Sequence, residues 1–366
     1  MLSSTAMVVE RGSRLLVIRL SSLGDVARLL PCLHSLKASG HLARLDLAVE
    51  DRFAPLLDLF PVVDRVAAYP RGKGGSGYKP LAWARAVGSY LKDLRAARYD
   101  WSVDLHGILR SALLGQVSGA ARTAGYARGF GKEGSHLFYD VPLICGATSR
   151  ISRYARYAGA MAALGLPGPM EGYLSAQVRE EDRTEVERFL AGRGLESRRF
   201  LFAFIGTSRA QAYKRWPLGR FLELAALVWE EMRLPTVVGW GPDEAREVAA
   251  LPSRGHLHVI PDWPLPRLLE CIGSSAAFVG ADTGAMHLAA LMGVPTVALM
   301  GPTDPVLNEP WGRRARVVYR PGIHEPCSGP GCDHRSCMGA IGAREVFHEL
   351  KEALAQKDQG AVDSDH

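Results

Sequence analysis

The sequence predicts a fold of two doubly wound α/β domains facing each other, and three observations carry that expectation. Short β-branched and leucine-rich runs alternate with helical patterns of 10–15 residues, which marks βαβ units and a mostly parallel sheet. The alternation breaks once, over residues 148–195, where the pattern turns long, helical and rich in Arg, Tyr and Ala, with a proline-glycine break at Leu166-Pro-Gly-Pro169 as the candidate domain junction, and then starts afresh. Finally, 366 residues is length for two ordinary domains of about 150 residues each.

The elements follow in order. Arg14 to Leu20 is an apolar strand closed by Ser-Ser-Leu-Gly, and a helix pattern runs from Asp25 to Ala38. Leu45 to Val49 is a second strand, with a short helix near Ala54 to Leu59. Residues 71–79, Arg-Gly-Lys-Gly-Gly-Ser-Gly-Tyr-Lys, form a glycine-rich basic loop that cannot be regular structure. A helix over Leu81 to Ala97 leads to a strand at Trp101 to Leu105 and a helix near Ile108 to Val117. After the helical break come strands at Phe200–Ile205, Pro235–Gly239, His258–Ile260, Ala276–Gly280 and Pro295–Met300. Helices fall between them at Pro217–Met232, Asp243–Ala250, Leu265–Ile272 and Gly284–Met292. Ligands in such folds bind at the carboxyl ends of the strands.

Composition narrows the function classes. The chain is 47% hydrophobic and 22% charged with mean hydropathy near zero, which excludes a disordered, collagenous or coiled-coil chain. No run of 18 apolar residues is present to cross a membrane as a helix. Met1 to Glu10 lacks the basic start and long apolar segment of a signal peptide, so the expected compartment is the cytoplasm. The charge is uneven: residues 1–170 hold 22 Lys/Arg against 12 Asp/Glu, a net of +10, and the remainder nets −4. The first half therefore expects an anionic partner, against the plainer reading of a solvated basic surface. Cys32, Cys145 and Cys271 sit in apolar runs and read as core residues. Cys327, Cys332, His334 and Cys337 fall within eleven residues. They could hold zinc, but the spacing departs from paired Cys-x2-Cys knuckles, and local structural thiols are the preferred reading.

Three strand-to-helix turns carry the chemistry. Phe278 to Ala290 ends a strand at Gly280, turns through Asp282-Thr283-Gly284 and starts a helix whose free N–H groups suit a phosphate. His287 shares a helix face with Thr283. Gly206-Thr-Ser-Arg-Ala-Gln-Ala-Tyr-Lys-Arg-Trp-Pro217 offers two hydroxyls, Lys214, Arg215 and Trp216, again between strand and helix. Arg19-Leu-Ser-Ser-Leu-Gly-Asp-Val26 places a carboxylate where it can accept a proton. The plainer reading of Asp25, as of Asp282 or Thr283, is a helix cap.

Arg19 to Val26, followed by Leu30-Pro-Cys-Leu33, resembles the opening of the ADP-heptose:lipopolysaccharide heptosyltransferases, glycosyltransferase family 9. Asp104-Leu-His-Gly-Ile-Leu-Arg-Ser-Ala-Leu113 is similar to a second motif, where the family usually shows Gln at His106 and often Lys at Arg110. Asp282-Thr-Gly-Ala-Met-His287 and Gly301-Pro-Thr-Asp-Pro305 look like its two C-terminal signatures. Together the four motifs cover residues 14–340, and the texture is closest to the heptosyltransferase I subgroup, which adds the first heptose to Kdo.

The resemblance implies a GT-B fold: an acceptor-binding Rossmann-like domain over 1–170, a sugar-nucleotide-binding one over 171–356, and a disordered tail over 357–366. It implies inverting transfer of heptose from ADP-heptose, with no metal or other cofactor and Asp25 as general base. Lys214 matches the family's phosphate-binding lysine and Thr207 with Ser208 its hydroxyl pair, although two extra residues separate them from Lys214 relative to some members. Thr283, Gly284 and Ala285 would supply helix-start contacts, with Asp282 on the sugar or its phosphate and His287 beside the phosphates. Asp243 or Glu244 would contact the donor, and Trp263 lies where the family meets adenine, unless it is a packing residue. The acceptor, Kdo-bearing lipid A at the cytoplasmic face of the inner membrane, would meet Ser22, Gly24, Arg71, Lys73, Lys79, His106 and Arg110, with Arg122 and Arg128 beyond. Such an enzyme would be peripheral at that membrane and need no obligate protein partner. Alternatives are a family member using another sugar or a later core acceptor, and a non-catalytic, membrane-associated sugar-nucleotide sensor. Nucleic acid is disfavoured because no recognition motif appears.

Overall fold

Leu15 to Ile18 have no accessible surface, the signature of a strand covered on both faces of a parallel sheet. The computed structural model describes residues 8–71, 80–251, 255–322 and 335–356. It divides into two compact units, Met1–Glu171 and Gly172–His366. The expected tail over 357–366 and most of the glycine-rich loop, residues 72–79, lie outside the described residues.

The first unit runs β1 (Arg14–Ile18), α1 (Leu23–Ala38), β2 (Arg44–Glu50), α2 (Ala54–Leu59), β3 (Arg65–Tyr69), α3 (Pro80–Ala96), β4 (Trp101–Asp104), α4 (Leu109–Val117), β5 (Arg122–Tyr126), β6 (Val141–Leu143) and α5 (Arg153–Ala163). Its six strands are ordered β3-β2-β1-β4-β5-β6, every pair parallel, with Val17 of β1 opposite Leu47 on one side and Val103 on the other. This is the Rossmann order. The order reverses between β1 and β4, so the turns after those two strands open side by side at the switch point. Those turns carry Asp25 and His106.

The second unit runs α6 (Glu180–Ala191), β7 (Leu201–Phe204), α7 (Leu218–Met232), β8 (Thr236–Gly239), α8 (Ala245–Ala249), β9 (Leu257–Val259), α9 (Leu265–Gly273), β10 (Ala277–Ala281), α10 (Gly284–Leu291), β11 (Thr296–Met300), β12 (Ala315–Tyr319), α11 (Arg335–Ala340) and α12 (Ala343–Ala355). Its sheet is β12-β11-β10-β7-β8-β9, again all parallel. Read from β7 outward it repeats the first unit's order, with the switch point between β7 and β10. The turns there carry Thr207 and Lys214 on one side and Asp282 and Thr283 on the other. Trp216 anchors the core beneath, edge-on to Phe221 at 4.7 Å, its indole N–H donating to the Ile341 carbonyl at 3.0 Å.

The structure departs from the expected elements in a few places. The break expected at Leu166-Pro-Gly-Pro169 is present but longer than those four residues: α5 and α6 are separated by residues 164–179, where Pro167 and Pro169 deny the backbone donors a helix needs. Pro217 is the N-cap of α7 rather than its first helical residue, and α8 starts only at Ala245, after a 3-10 turn over Pro242–Glu244.

α5 packs on α1 and so fixes where Arg153 stands beside Asp25. Gly159 lets α5 lie against the segment that follows β6, because a Cβ there would sit 2.6 Å from the Cys145 carbonyl oxygen and 3.1 Å from its Cα. Those atoms are backbone and cannot rotate away. Gly159→Ala is therefore expected to destabilise the first unit by about 1–3 kcal/mol despite alanine's better helix propensity, read as a lower midpoint in denaturant unfolding.

Candidate functional site

Asp25 lies in the first turn of α1, where it caps the helix and also does more. Its Oδ2 accepts from the Ser22 N–H at 3.3 Å and the Ser22 hydroxyl at 3.2 Å, so the capping reading holds. Three guanidinium groups close round the same carboxylate: Arg19 on Oδ2, Arg28 at 3.3 Å and Arg153 at 3.0 Å on Oδ1. Arg19 and Arg28 are buried and fixed by carbonyls, Arg19 on Leu105 O at 2.9 Å and Arg28 on Gly24 O at 3.0 Å. Arg153 keeps 32% of its side chain exposed, against 14% for Asp25. Burial alone would raise the Asp25 carboxyl, but Arg19, Arg28 and Arg153 outweigh it and hold it well below the usual carboxylate range. The group is an ionised acceptor at any working pH, and its surroundings carry an excess of positive charge.

A second buried carboxylate repeats the pattern. Glu50, at the end of β2, binds Arg52 at 2.9 Å, Arg110 at 2.9 Å and Arg71 at 3.4 Å. Arg110 also lies over the Tyr69 ring, 5.8 Å from its centre. Two carboxylates thus face six arginines, a field suited to a multiply charged anion. Asp104 ends β4 and takes the His106 and Gly107 N–H groups at 2.7 and 3.1 Å, with the Ser111 and Tyr139 hydroxyls each at 2.6 Å. It shapes the turn that presents His106. Burial first, then Arg19 and Arg110, outweigh Asp25 and push the His106 imidazole down to about 3, so it is neutral.

In the second unit Lys214 Nζ donates to Asp282 Oδ2 at 2.8 Å, and His287 Nε2 lies 3.3 Å from Oδ1. All three are buried. Burial alone would raise the Asp282 carboxyl, but His287 and Lys214 hold it well below its ordinary value. The plain reading of Lys214 as a solvated surface residue is therefore wrong. Thr283 is the N-cap of α10, followed by Gly284 and Ala285, whose N–H groups have no partner within the first turn. Among the described residues the Thr283 hydroxyl is buried without a hydrogen bond. Lysine has three donors and Asp282 takes the best of them, leaving Lys214 able to bind an anion at the same helix start.

Thr207 and Ser208 lie in the neighbouring turn, Thr207 buried and Ser208 exposed. Glu244 separates itself from Asp243 here. It is buried, accepts the Thr207 and Gly241 N–H groups at 3.2 and 3.1 Å, and pairs with Arg215, which also donates to Thr207 Oγ1 at 3.0 Å. Asp243 is exposed and accepts the Arg209 N–H at 2.8 Å. Gly206 permits the close approach, since a Cβ there would stand 2.9 Å from the Gly241 nitrogen and 3.0 Å from Glu244 Oε2. Trp263 packs edge-on against Phe189 at 4.9 Å.

The structure brings Ser22, Gly24 and Asp25 together at the start of α1 and Arg71 with Arg110 on Glu50. Lys73 and Lys79 lie outside the described residues, as do Cys327, Cys332 and His334. Cys337 is buried on α11, and among the described residues no group of three His, Cys, Asp or Glu is placed to hold a metal. Arg28, Arg153, Glu50 and Arg52 were not singled out by sequence reasoning. Only the excess of basic residues in the first half hinted at the three arginines.

Residues 87–336 match the model of glycosyltransferase family 9 (heptosyltransferase). The chain is 28% identical over 333 residues to lipopolysaccharide heptosyltransferase 1 of Pseudomonas aeruginosa, covering 88% of each chain. It is likewise 28% identical over 360 residues to lipopolysaccharide heptosyltransferase 2 of Escherichia coli, covering 94% of this chain and 99% of that one. The solved structure of the E. coli heptosyltransferase WaaC with ADP superposes at a TM-score of 0.72 and 21% identity, over 93% of this chain and 99% of that one. That likeness shows the fold, two Rossmann-like units of the GT-B class. Among the described residues no helix is long and apolar enough to cross a membrane.

The environment of His106 sets a pH dependence. Unfolded, the imidazole takes a proton near 6.5; folded, it resists until about 3. Between these values the unfolded chain binds the extra proton, so stability falls as pH drops from about 6.5 toward 3. His106→Gln is expected to lose less stability than the wild type over that interval, measured by denaturant unfolding at stepped pH.

Proposed function

Since the chain belongs to glycosyltransferase family 9, the heptosyltransferases, we propose that it moves heptose from ADP-heptose to a Kdo-bearing lipopolysaccharide inner-core acceptor, with Asp25 as general base and no metal. The observation that carries the acceptor half is the excess of arginine over carboxylate round Asp25 and Glu50, which suits a glycolipid rich in phosphate and carboxylate. The donor half rests on Lys214, Asp282 and the start of α10. Structures of relatives hold ADP and ADP-2-deoxy-2-fluoro heptose.

In this reaction the acceptor hydroxyl oxygen attacks the anomeric carbon from the face opposite the nucleotide. Its proton passes to Asp25, the bond from the anomeric carbon to the β-phosphate oxygen breaks, and ADP departs with that electron pair. The configuration inverts. Lys214 and the N–H groups at Thr283, Gly284 and Ala285 meet the charge that develops on the leaving phosphate, the preorganised stabilisation that lowers such barriers most. Asp282 and His287 hold Lys214 in place, and Glu244 with Arg215 holds the Thr207 turn. The low basicity of Asp25 in the free protein is a cost for a base. It is offset if attack and proton transfer are concerted, so that the base receives the proton only as the hydroxyl becomes acidic.

The similar likeness to heptosyltransferases 1 and 2 favours a second reading, in which the acceptor already carries one heptose. The protein would work peripherally at the cytoplasmic face of the inner membrane, where such an acceptor is made.

A transfer assay with ADP-heptose, excess chelator and de-acylated Kdo-lipid A, with and without a first heptose, tests these readings. Product is expected from wild type, and Asp25→Ala is expected to lose about 100-fold or more of the rate. Full activity in Asp25→Ala removes the base, and product only on the heptosylated acceptor selects the second reading. Lys214→Ala is expected to weaken ADP binding by about ten-fold or more in calorimetry, the cost of removing a charge-assisted contact to phosphate.

A further inference from the structure

We propose that the face formed by α3 and α4 docks the first unit on an anionic lipid bilayer, through Leu81, Leu109, Leu113, Val117 and the neighbouring Leu137 with the cations that flank Leu81. This rests on, and deepens, the reading of a membrane-borne acceptor.

The outer side of α4 is the anomaly. Its inner side packs through Ala112, Leu114 and Gly115, as an amphipathic helix should. Its outer side repeats Leu109, Leu113 and Val117 at four-residue spacing, exposed to 37%, 43% and 36%. A surface helix ordinarily turns charged residues outward along that line. The seventeen residues of α3 bury only Tyr90 and Leu94 in full. Leu81 near its start is 76% exposed, and Val87 and Leu91 instead line an open groove of about 410 Å³ shared with α4. Leu137, on the 3-10 turn Ser135–Phe138 that packs against α4, is 77% exposed. Apolar surface gathered in this way on one face marks a place of interaction.

Charge selects the occupant. At 100° per residue, Arg85, Lys92 and Arg95 lie within roughly 40° of Leu81 round the α3 axis, and all three are exposed, while Asp93 falls well to one side. Arg95 also ties α3 to α4 through the Val117 carbonyl at 3.0 Å. Leucines rimmed by cations are what an anionic bilayer takes up, the apolar tips entering the headgroup boundary and the cations meeting phosphate. A second copy of the chain would bring the same cations against these. Arg110, on the groove wall, links this face to the acceptor side chains on Glu50.

The test is flotation of the full chain with phosphatidylglycerol vesicles and with phosphatidylcholine vesicles, alongside analytical ultracentrifugation. Wild type is expected to float with the anionic vesicles. A Leu81→Gln/Leu113→Gln/Leu137→Gln variant is expected to bind them about ten-fold less, whereas Val306→Gln, an exposed apolar site in the second unit, binds as wild type. Transfer to the de-acylated, soluble acceptor is expected to be equal in wild type and triple variant, which shows that the variant is folded. Equal vesicle binding by the triple variant, or no binding by wild type, overturns the proposal. So does a wild-type dimer that the triple variant breaks, because the face would then cover a second copy. If neither protein transfers heptose, the proposed activity fails, and the vesicle result still decides the docking surface.

Discussion

A carboxylate placed at the head of α1 and largely removed from water needs positive charge about it, and the way that charge is supplied shapes the first unit. Burial of an unpaired carboxylate is prohibitive. Arg19 comes from the end of β1, Arg28 from one turn along α1, and Arg153 from the start of α5, a helix more than a hundred residues on in sequence. The ion cluster therefore ties the switch point of the sheet to the last helix of the unit, which Gly159 also lets lie close against Cys145. Three cations on one anion is more than neutrality requires. The surplus, repeated at Glu50, gives the unit a local field that the formal charge of the chain only suggests.

The second unit solves a different problem with the same topology. Its switch point presents a lysine and a helix start to a phosphate-sized anion, and the local charge is balanced rather than excessive. Asp282 neutralises Lys214 while orienting it, His287 holds the far oxygen of Asp282, and Glu244 clamps the adjoining turn. A nucleotide diphosphate entering here would exchange water for donors already aimed. On the proposed reaction the two units would divide the labour of a bisubstrate transfer, one rich in cations for the acceptor and one preorganised for the leaving group.

The strands that define both sheets were legible where they are long and apolar: β1, β2, β4, β7, β10 and β11 follow directly from their runs of Val, Leu, Ile, Ala and Phe. β3, β5, β6 and β12 were not, because Arg-Val-Ala-Ala-Tyr, Arg-Thr-Ala-Gly-Tyr, Val-Pro-Leu and Ala-Arg-Val-Val-Tyr are short and mixed, and become strands only by pairing with a neighbour already in place. Site residues show the same division. Asp25, Lys214 and Asp282 stand in turns next to strong strands, so a local pattern reveals them. Arg153 and Glu50 act through contacts across the fold, and nothing local distinguishes that arginine from its many fellows. Glu244 was separable from Asp243 only by burial, which two adjacent acids in a turn do not disclose. The outer leucines of α4 passed unremarked because a helix so short reads as core on every side.

On the proposed reaction Asp25 is the base, and its arginines keep it ionised. The measurement that meets this most directly is the pH dependence of kcat/KM for wild type and Arg153→Gln over the acid range in which both stay folded. Loss of one of the three cations lets burial raise the Asp25 carboxyl. Activity of Arg153→Gln is expected to fall on the acid side at a higher pH than that of wild type, because the free enzyme's base then protonates sooner. A variant that tracks the wild-type profile, lower by a constant factor at every pH, would contradict it.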